Sequence, residues 1–295
     1  MNLVGMLCSA AAALFWAVAV IMFKVSGDSL SPTALNLFKG VLTLLLLVPT
    51  LGVAGVPLFP DVPADDWRLL GLSGVLGITL ADNFFFMALK RLGAGLWAVV
   101  DCLYLPCVII LSAIFLGESI GVKGIAGAIL VVLAIAAGSY PWISVERPAK
   151  TLFIGLAFGL AAVGCLSGSI IMIKPILGRH GVLWTSFVRI LAGVSGLMLL
   201  SLFHRQRRII FGVFKPSRAW KSALPGAFIG NYLAMLAWLA GFKFTLVSVA
   251  AILNQLCTIF TFILAAIFLG ERITPIRVVA IVLAVGGALL ATTAT

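Results

Sequence analysis

The sequence predicts an all-α membrane protein: ten transmembrane helices arranged as two inverted five-helix repeats around a central cavity. Three observations carry this prediction. The composition is too apolar for a water-soluble core, apolar runs of spanning length recur from end to end, and a six-residue segment is repeated half a chain apart.

Of the 295 residues, 63% are hydrophobic and 10% charged, and the mean hydropathy is +1.24. A soluble domain is nearer half apolar and a quarter charged. Lipid is the solvent that accommodates such a chain, and in lipid the backbone must satisfy its own hydrogen bonds. A bilayer core takes ~20 helical residues. Windows of that size place spans at 3–24, 32–52, 67–90, 95–116, 122–142, 151–174, 181–202, 220–243, 246–269 and 274–293. The runs lack the alternation over ~10 residues that β-barrel strands require. The first run has no basic segment before it, so it reads as a span and not a cleaved signal. The longest connections, about 53–66 and 203–219, leave no room for a soluble catalytic domain.

Ala113–Glu118 and Ala266–Glu271 both read AIFLGE, 153 residues apart. The same register pairs Lys90 with Lys243 and Asp101 with Asn254. Nearer the start of each half, Ile21–Lys24 (IMFK) matches Ile171–Lys174 (IMIK) at an offset of 150, which also pairs Lys39 with Arg189. The chain therefore divides into residues 1–146 and 147–295. Five spans per unit is an odd number, so the second unit runs the opposite way through the membrane. Such inverted repeats suit alternating access, because each half can adopt the other's conformation.

Further residues fit this frame: Trp16 and Lys24 on the first span, Pro32 before Lys39 on the second, Ala88–Lys90 closing the third and Pro106 in the fourth. Leu116–Glu118 follows, and Arg189, Leu269–Arg272 (LGER) and Pro275 recur in the second half. In order and spacing the chain resembles the EamA-type members of the drug/metabolite transporter superfamily over nearly its whole length. That resemblance implies a ten-helix fold with a cavity between the halves, and export of amino acids or other small metabolites. Aromatic or neutral amino acid exporters are the subgroup it matches best.

Ionisable groups within spans are costly and mark candidate sites. Lys39, Asp82, Asp101 and Arg189 lie well inside. At 1.5 Å per residue, Lys39, Asp82 and Asp101 sit roughly 9–12 Å from the face formed by the loops after odd-numbered spans. They predict a mixed-charge cluster, either a gate, an ammonium site or a protonatable switch, or else a structural ion pair. Arg189 lies ~12 Å from the opposite face. Asn254 and Met235 stand where its acidic neighbours would be, so a substrate carboxylate is one partner it can take. Helix carbonyls and the interface are the alternatives.

Asn83 and Tyr104 in the first half, and Asn231, Tyr232, Asn254 and Gln255 in the second, are cavity-wall candidates, with interhelical bonding as the plainer reading. Trp16, Trp97, Trp184 and Trp238 lie within spans, whereas Trp67, Trp142 and Trp220 fall at span ends, as interfacial belts require. Phe84–Phe86 add apolar surface beside Asp82. Glu118 and Glu271 read as structural, each paired with a base in its own turn, such as Lys123 or Arg272. Lys24, Lys90, Lys174 and Lys243 close spans.

The five cysteines show neither metal-ligand spacing nor a disulfide framework. No metal, cofactor or nucleic-acid partner is expected. The expected partners are the lipid bilayer and a small amino-acid-like solute, with protons as a candidate coupling ion. An embedded enzyme would need clustered acids or histidines, and only His180 and His204 exist, both near loops. Carriers of lipophilic drugs or of nucleotide-sugar and phosphate metabolites are the rival within transport. The expected location is a bacterial plasma (inner) membrane. Loops after odd spans hold thirteen Lys and Arg, and those after even spans five. The positive-inside rule puts the richer face in the cytoplasm, the resemblance implies the reverse, and orientation stays open. The basic run Arg205–Lys221 suits anionic lipid or topology.

Overall fold

The computed structural model describes residues 3–27, 30–139, 148–269 and 275–292. Trp142, Glu271, Arg272 and the 146/147 boundary between repeats lie outside the described residues. The first half runs α1 (Leu3–Gly27), α2 (Pro32–Val53), α3 (Ala64–Gly74), a π-helical stretch (Val75–Ala81), α4 (Asp82–Asp101), α5 (Tyr104–Leu116) and α6 (Val122–Ser139). The second runs α7 (Ala149–Arg179), α8 (Val182–Phe203), a short α9 (Arg207–Phe211) and α10 (Trp220–Gly226). A second π stretch (Ala227–Leu233), α11 (Ala234–Phe244), α12 (Val247–Asn254), α13 (Leu256–Leu269) and α14 (Pro275–Thr292) complete it. There are no strands among the described residues.

Five helical stretches are long and apolar enough to cross a membrane: 3–23, 33–53, 149–179, 182–203 and 220–244. Shorter apolar helices accompany them, among them Tyr104–Leu116 and Val278–Ala291. Their outer faces are bare hydrocarbon, with Ile114, Phe115, Val282 and Leu289 each more than half exposed. In lipid that surface is solvated.

Packing follows the two-fold relation. α6 lies against α14, and α2 against α8, each with its own counterpart. α1 packs on α11 and α13 of the other half, and α7 reciprocally on α4 and α5. Small residues permit the closest approach. At the α6–α14 crossing, a Cβ on Gly127 would stand 2.4 Å from the Gly287 carbonyl oxygen, and one on Gly287 2.7 Å from that of Gly127.

Three features differ from the sequence expectation. The expected gap between spans three and four is helical, because α4 continues through residues 91–94 to Asp101. The interruption comes later, at Cys102–Leu103. Pro106 explains it: with no N–H to donate to the Cys102 carbonyl, the helix cannot continue there. The equivalent break in the second half falls at Gln255, so spans four and nine are each interrupted at matching places. Second, α7 extends to Arg179, well past Lys174. Third, the π stretches occupy equivalent positions in the two halves. Each extra residue per turn re-aims the side chains that follow, and such bulges gather at functional sites.

Candidate transport site

Hydrogen bonds sort the loops into two faces. The connections near Asp66, Glu118, His180 and Thr245 meet on one, and all follow even-numbered spans. Phe38, near the start of α2, and Trp220, at the start of α10, meet on the other, with ring centroids 5.1 Å apart.

The candidate residues resolve into three places. The first surrounds Lys39. Its Nζ lies 3.2 Å from Asp82 Oδ2, the two side chains being 7% and 28% exposed, and 5.4 Å above the Trp16 ring. Asn231, on the second π stretch, donates to Thr43 Oγ1 at 2.7 Å and to the Lys39 carbonyl at 3.3 Å. It therefore ties the other half to the turn that presents the lysine. Asn83 donates to the Thr79 carbonyl at 2.7 Å. Trp97 meets Phe85 edge-on at 4.9 Å, and Phe84 stacks on Phe158 at 5.9 Å. Trp16, Asp82, Asn83, Phe84, Phe85 and Trp97 are all partly exposed.

The second place surrounds Arg189, which is 3% exposed. Nη2 donates to Ser169 Oγ at 2.9 Å, and the guanidinium stands 5.6 Å from the Trp238 ring. Ser169 and Ser73 bond reciprocally to each other's carbonyls, at 2.9 Å each. Gly77 explains the fit, because a Cβ there would meet Ser169 Oγ at 2.6 Å and Arg189 Nη2 at 3.2 Å. Arg189 Nε and Nη1 and the Tyr104 hydroxyl have no hydrogen-bond partner.

The third place lies where the two breaks meet. Gln255 Nε2 donates to the Asp101 carbonyl at 3.2 Å, and the Ser112 and Ser248 hydroxyls lie 2.9 Å apart. Asp101 therefore joins the other half through its backbone and does not share Lys39 with Asp82. The side-chain amide of Asn254 is enclosed at the same break, with no partner for either polar atom. Tyr232 is separate again, its hydroxyl 2.7 Å from Thr50 Oγ1.

One group was not singled out in the sequence. Asp66 is 4% exposed along its side chain and binds Arg179 Nη2 and His180 Nε2, the latter at 2.7 Å. Burial pushes the Asp66 carboxyl up, but the bonds and charges of His180 and Arg179 outweigh it and hold the group below the usual carboxylate range. Trp184, expected within a span, packs against His180 at 4.9 Å and against Trp67 at 5.0 Å, and donates to the Leu58 carbonyl. Lys243 donates to the His180 carbonyl at 2.7 Å. The Asp66, Trp67 and Leu58 contacts join first-half and second-half elements across the even-loop face.

Glu118 does the same. Instead of pairing within its own turn with Lys123, its carboxylate accepts from the Val247 and Ser248 backbone N–H groups at 2.9 and 3.2 Å, capping α12 of the opposite half. A carboxylate there satisfies unpaired donors and faces the positive end of the helix. The positions matching Asp66, Arg179 and His180 in the other half are Ala219, Ser29 and Leu30. The three side chains of the clasp thus have no chemical counterpart at the matching sequence positions.

The EamA-like transporter family model matches the chain twice, at residues 3–139 and 153–293. The chain belongs to this family, part of the drug/metabolite transporter superfamily, and is an integral membrane transporter of small molecules. A crystal structure of a protein 18% identical in sequence superposes with a TM-score of 0.85, covering 99% of this chain and 98% of that one. It shares the fold. No curated protein sequence matches the chain.

Proposed function

We propose that the protein exports small metabolites across a bacterial inner membrane, with neutral and aromatic amino acids as the substrate class. The observation that carries this reading is the Lys39–Asp82 pair, its lysine enclosed and its carboxylate partly exposed, edged by Trp16 and followed on the same helix by the aromatic side chains of Phe84, Phe85 and Trp97. A paired, partly hydrated carboxylate can exchange its lysine for a solute ammonium, and flat aromatic walls accept apolar side chains. The two halves rock about this site, opening one face as the other closes. The Asp66–Arg179–His180 clasp and the Glu118 cap hold the even-loop face shut in the state described. Asp82 is the candidate carrier of a coupled proton, with Asp101 as the second. Carriage of phosphate compounds is disfavoured, because Lys39 is already paired and Arg189 alone remains.

Counterflow in proteoliposomes tests this. Vesicles loaded with unlabelled neutral or aromatic amino acid should accumulate the labelled form, and the Asp82→Asn variant should not. Counterflow of phosphate compounds, with none of any amino acid, would overturn the substrate assignment.

A further inference from the structure

Arg189 carries a full charge inside the membrane and has little to balance it. Its guanidinium is planar and permanently protonated and offers five N–H donors. One bond, from Nη2 to Ser169 Oγ, is made, and Nε and Nη1 are without partners. No carboxylate among the described residues pairs with it, whereas its counterpart Lys39 has Asp82 at 3.2 Å. The position matching Asp82 is Met235. The Trp238 face, at 5.6 Å, offsets only part of the desolvation of an enclosed ion. The Tyr104 hydroxyl, within electrostatic reach of the guanidinium, is also buried and unbonded. Arg189 and Tyr104 thus each leave buried donor capacity unused.

The surroundings hold this arrangement in place. Ser169 is fixed by the reciprocal pair with Ser73, and Gly77 leaves the space Nη2 occupies. The residue is nine positions beyond His180, ~13 Å deeper along the helix, so it lies beneath the clasp and the Trp184–Trp67 pair.

We infer that Arg189, with Tyr104, forms a carboxylate-binding subsite that serves solutes when the even-loop face opens. A carboxylate there accepts from free guanidinium N–H groups and from the phenol, which are charge-assisted bonds of the stronger kind. The inference rests on the transporter reading and refines it: the solute carries a carboxylate, and the subsite for it is separate from the Lys39–Asp82 pair.

The test is thermal stabilisation of the purified full-length protein in detergent. The probes are phenylalanine, leucine, their carboxamides, and inorganic phosphate. The acids should stabilise the wild type and the carboxamides should bind at least tenfold more weakly, the loss of one or more charged hydrogen bonds. Arg189→Gln should abolish that preference. Tyr104→Phe, which removes only an unbonded hydroxyl and so preserves the fold, should reduce it several-fold and carries the comparison if Arg189→Gln is unstable. Equal binding of acids and amides, a preference that survives Arg189→Gln, stabilisation by phosphate alone, or no stabilisation by any acid each overturns the subsite. Counterflow of a carboxylate-free amine by the wild type would leave the transporter reading standing while the subsite fell.

Discussion

Replacing Asp82 by Asn should destabilise the protein more than replacing Lys39 by Met, although both break the same 3.2 Å pair. At that distance and an effective dielectric of about 20, the attraction is about 5 kcal/mol before desolvation is counted. Removing one partner of a buried pair typically costs about 3–5 kcal/mol, because the other charge is left enclosed. The two orphans differ here. Lys39 is 7% exposed and would keep only the Trp16 face, so Asp82→Asn should cost about 3 kcal/mol. Asp82 is 28% exposed, so water screens it, and Lys39→Met should cost about 1–2 kcal/mol. The double variant Lys39→Met/Asp82→Leu should recover most of the loss. In a fluorescence-detected melting assay, Asp82→Asn should lower the midpoint by on the order of 5 °C. Equal losses, a larger loss for Lys39→Met, or strictly additive losses in the double variant would refute the assignment of Lys39 as the enclosed charge.

Three shorter expectations accompany it. The Asp66 carboxyl is held below its ordinary value in the folded state, so its contribution is complete above the unfolded pKa of about 3.9 and fades as pH falls through the lower folded value. Melting of the wild type should therefore lose the clasp only in strong acid, whereas Asp66→Asn should show that loss at neutral pH and no further change there. Glu118→Ala removes a double cap on α12 and should cost about 1–2 kcal/mol, with Glu118→Gln costing less, both read by melting. Gly127→Leu cannot fit against the Gly287 carbonyl. It should lower the yield and stability of folded protein by about 1–3 kcal/mol or more, read by size-exclusion profile and melting.

The sequence reveals the fold well because its strongest signals are periodic and global. Apolar runs of bilayer length identify the spans, and the AIFLGE repeat with its charged companions identifies the duplication. The Lys39–Asp82 pair was legible from depth alone, since both residues fall at similar distances from one face. Asp101 was misplaced by the same reckoning, because depth says nothing about the direction a side chain takes around its helix. Two π stretches, each altering that direction, add to the difficulty, and no residue pattern announces them. The clasp was missed for another reason. Asp66 lies over a hundred residues from the adjacent Arg179 and His180, in connections that read as ordinary polar ends, and only tertiary packing joins them. Glu118 reads in sequence as paired within its own turn, whereas its hydrogen-bond donors are backbone N–H groups of the other half, which side-chain identities cannot reveal. The signal available for it was the N-terminus of a helix opening at Val247 with no side-chain cap of its own.

The transport cycle proposed above requires the two halves to exchange the face that is open. The most direct test is a spin-label distance measurement across the even-loop face in nanodiscs, with labels at Asp65→Cys and Phe244→Cys in a background free of the native cysteines. Two distances are expected, the shorter dominant in the wild type and the longer gaining population when Asp66→Asn releases the clasp. A single distance, unchanged by that substitution and by every amino acid added, would contradict it.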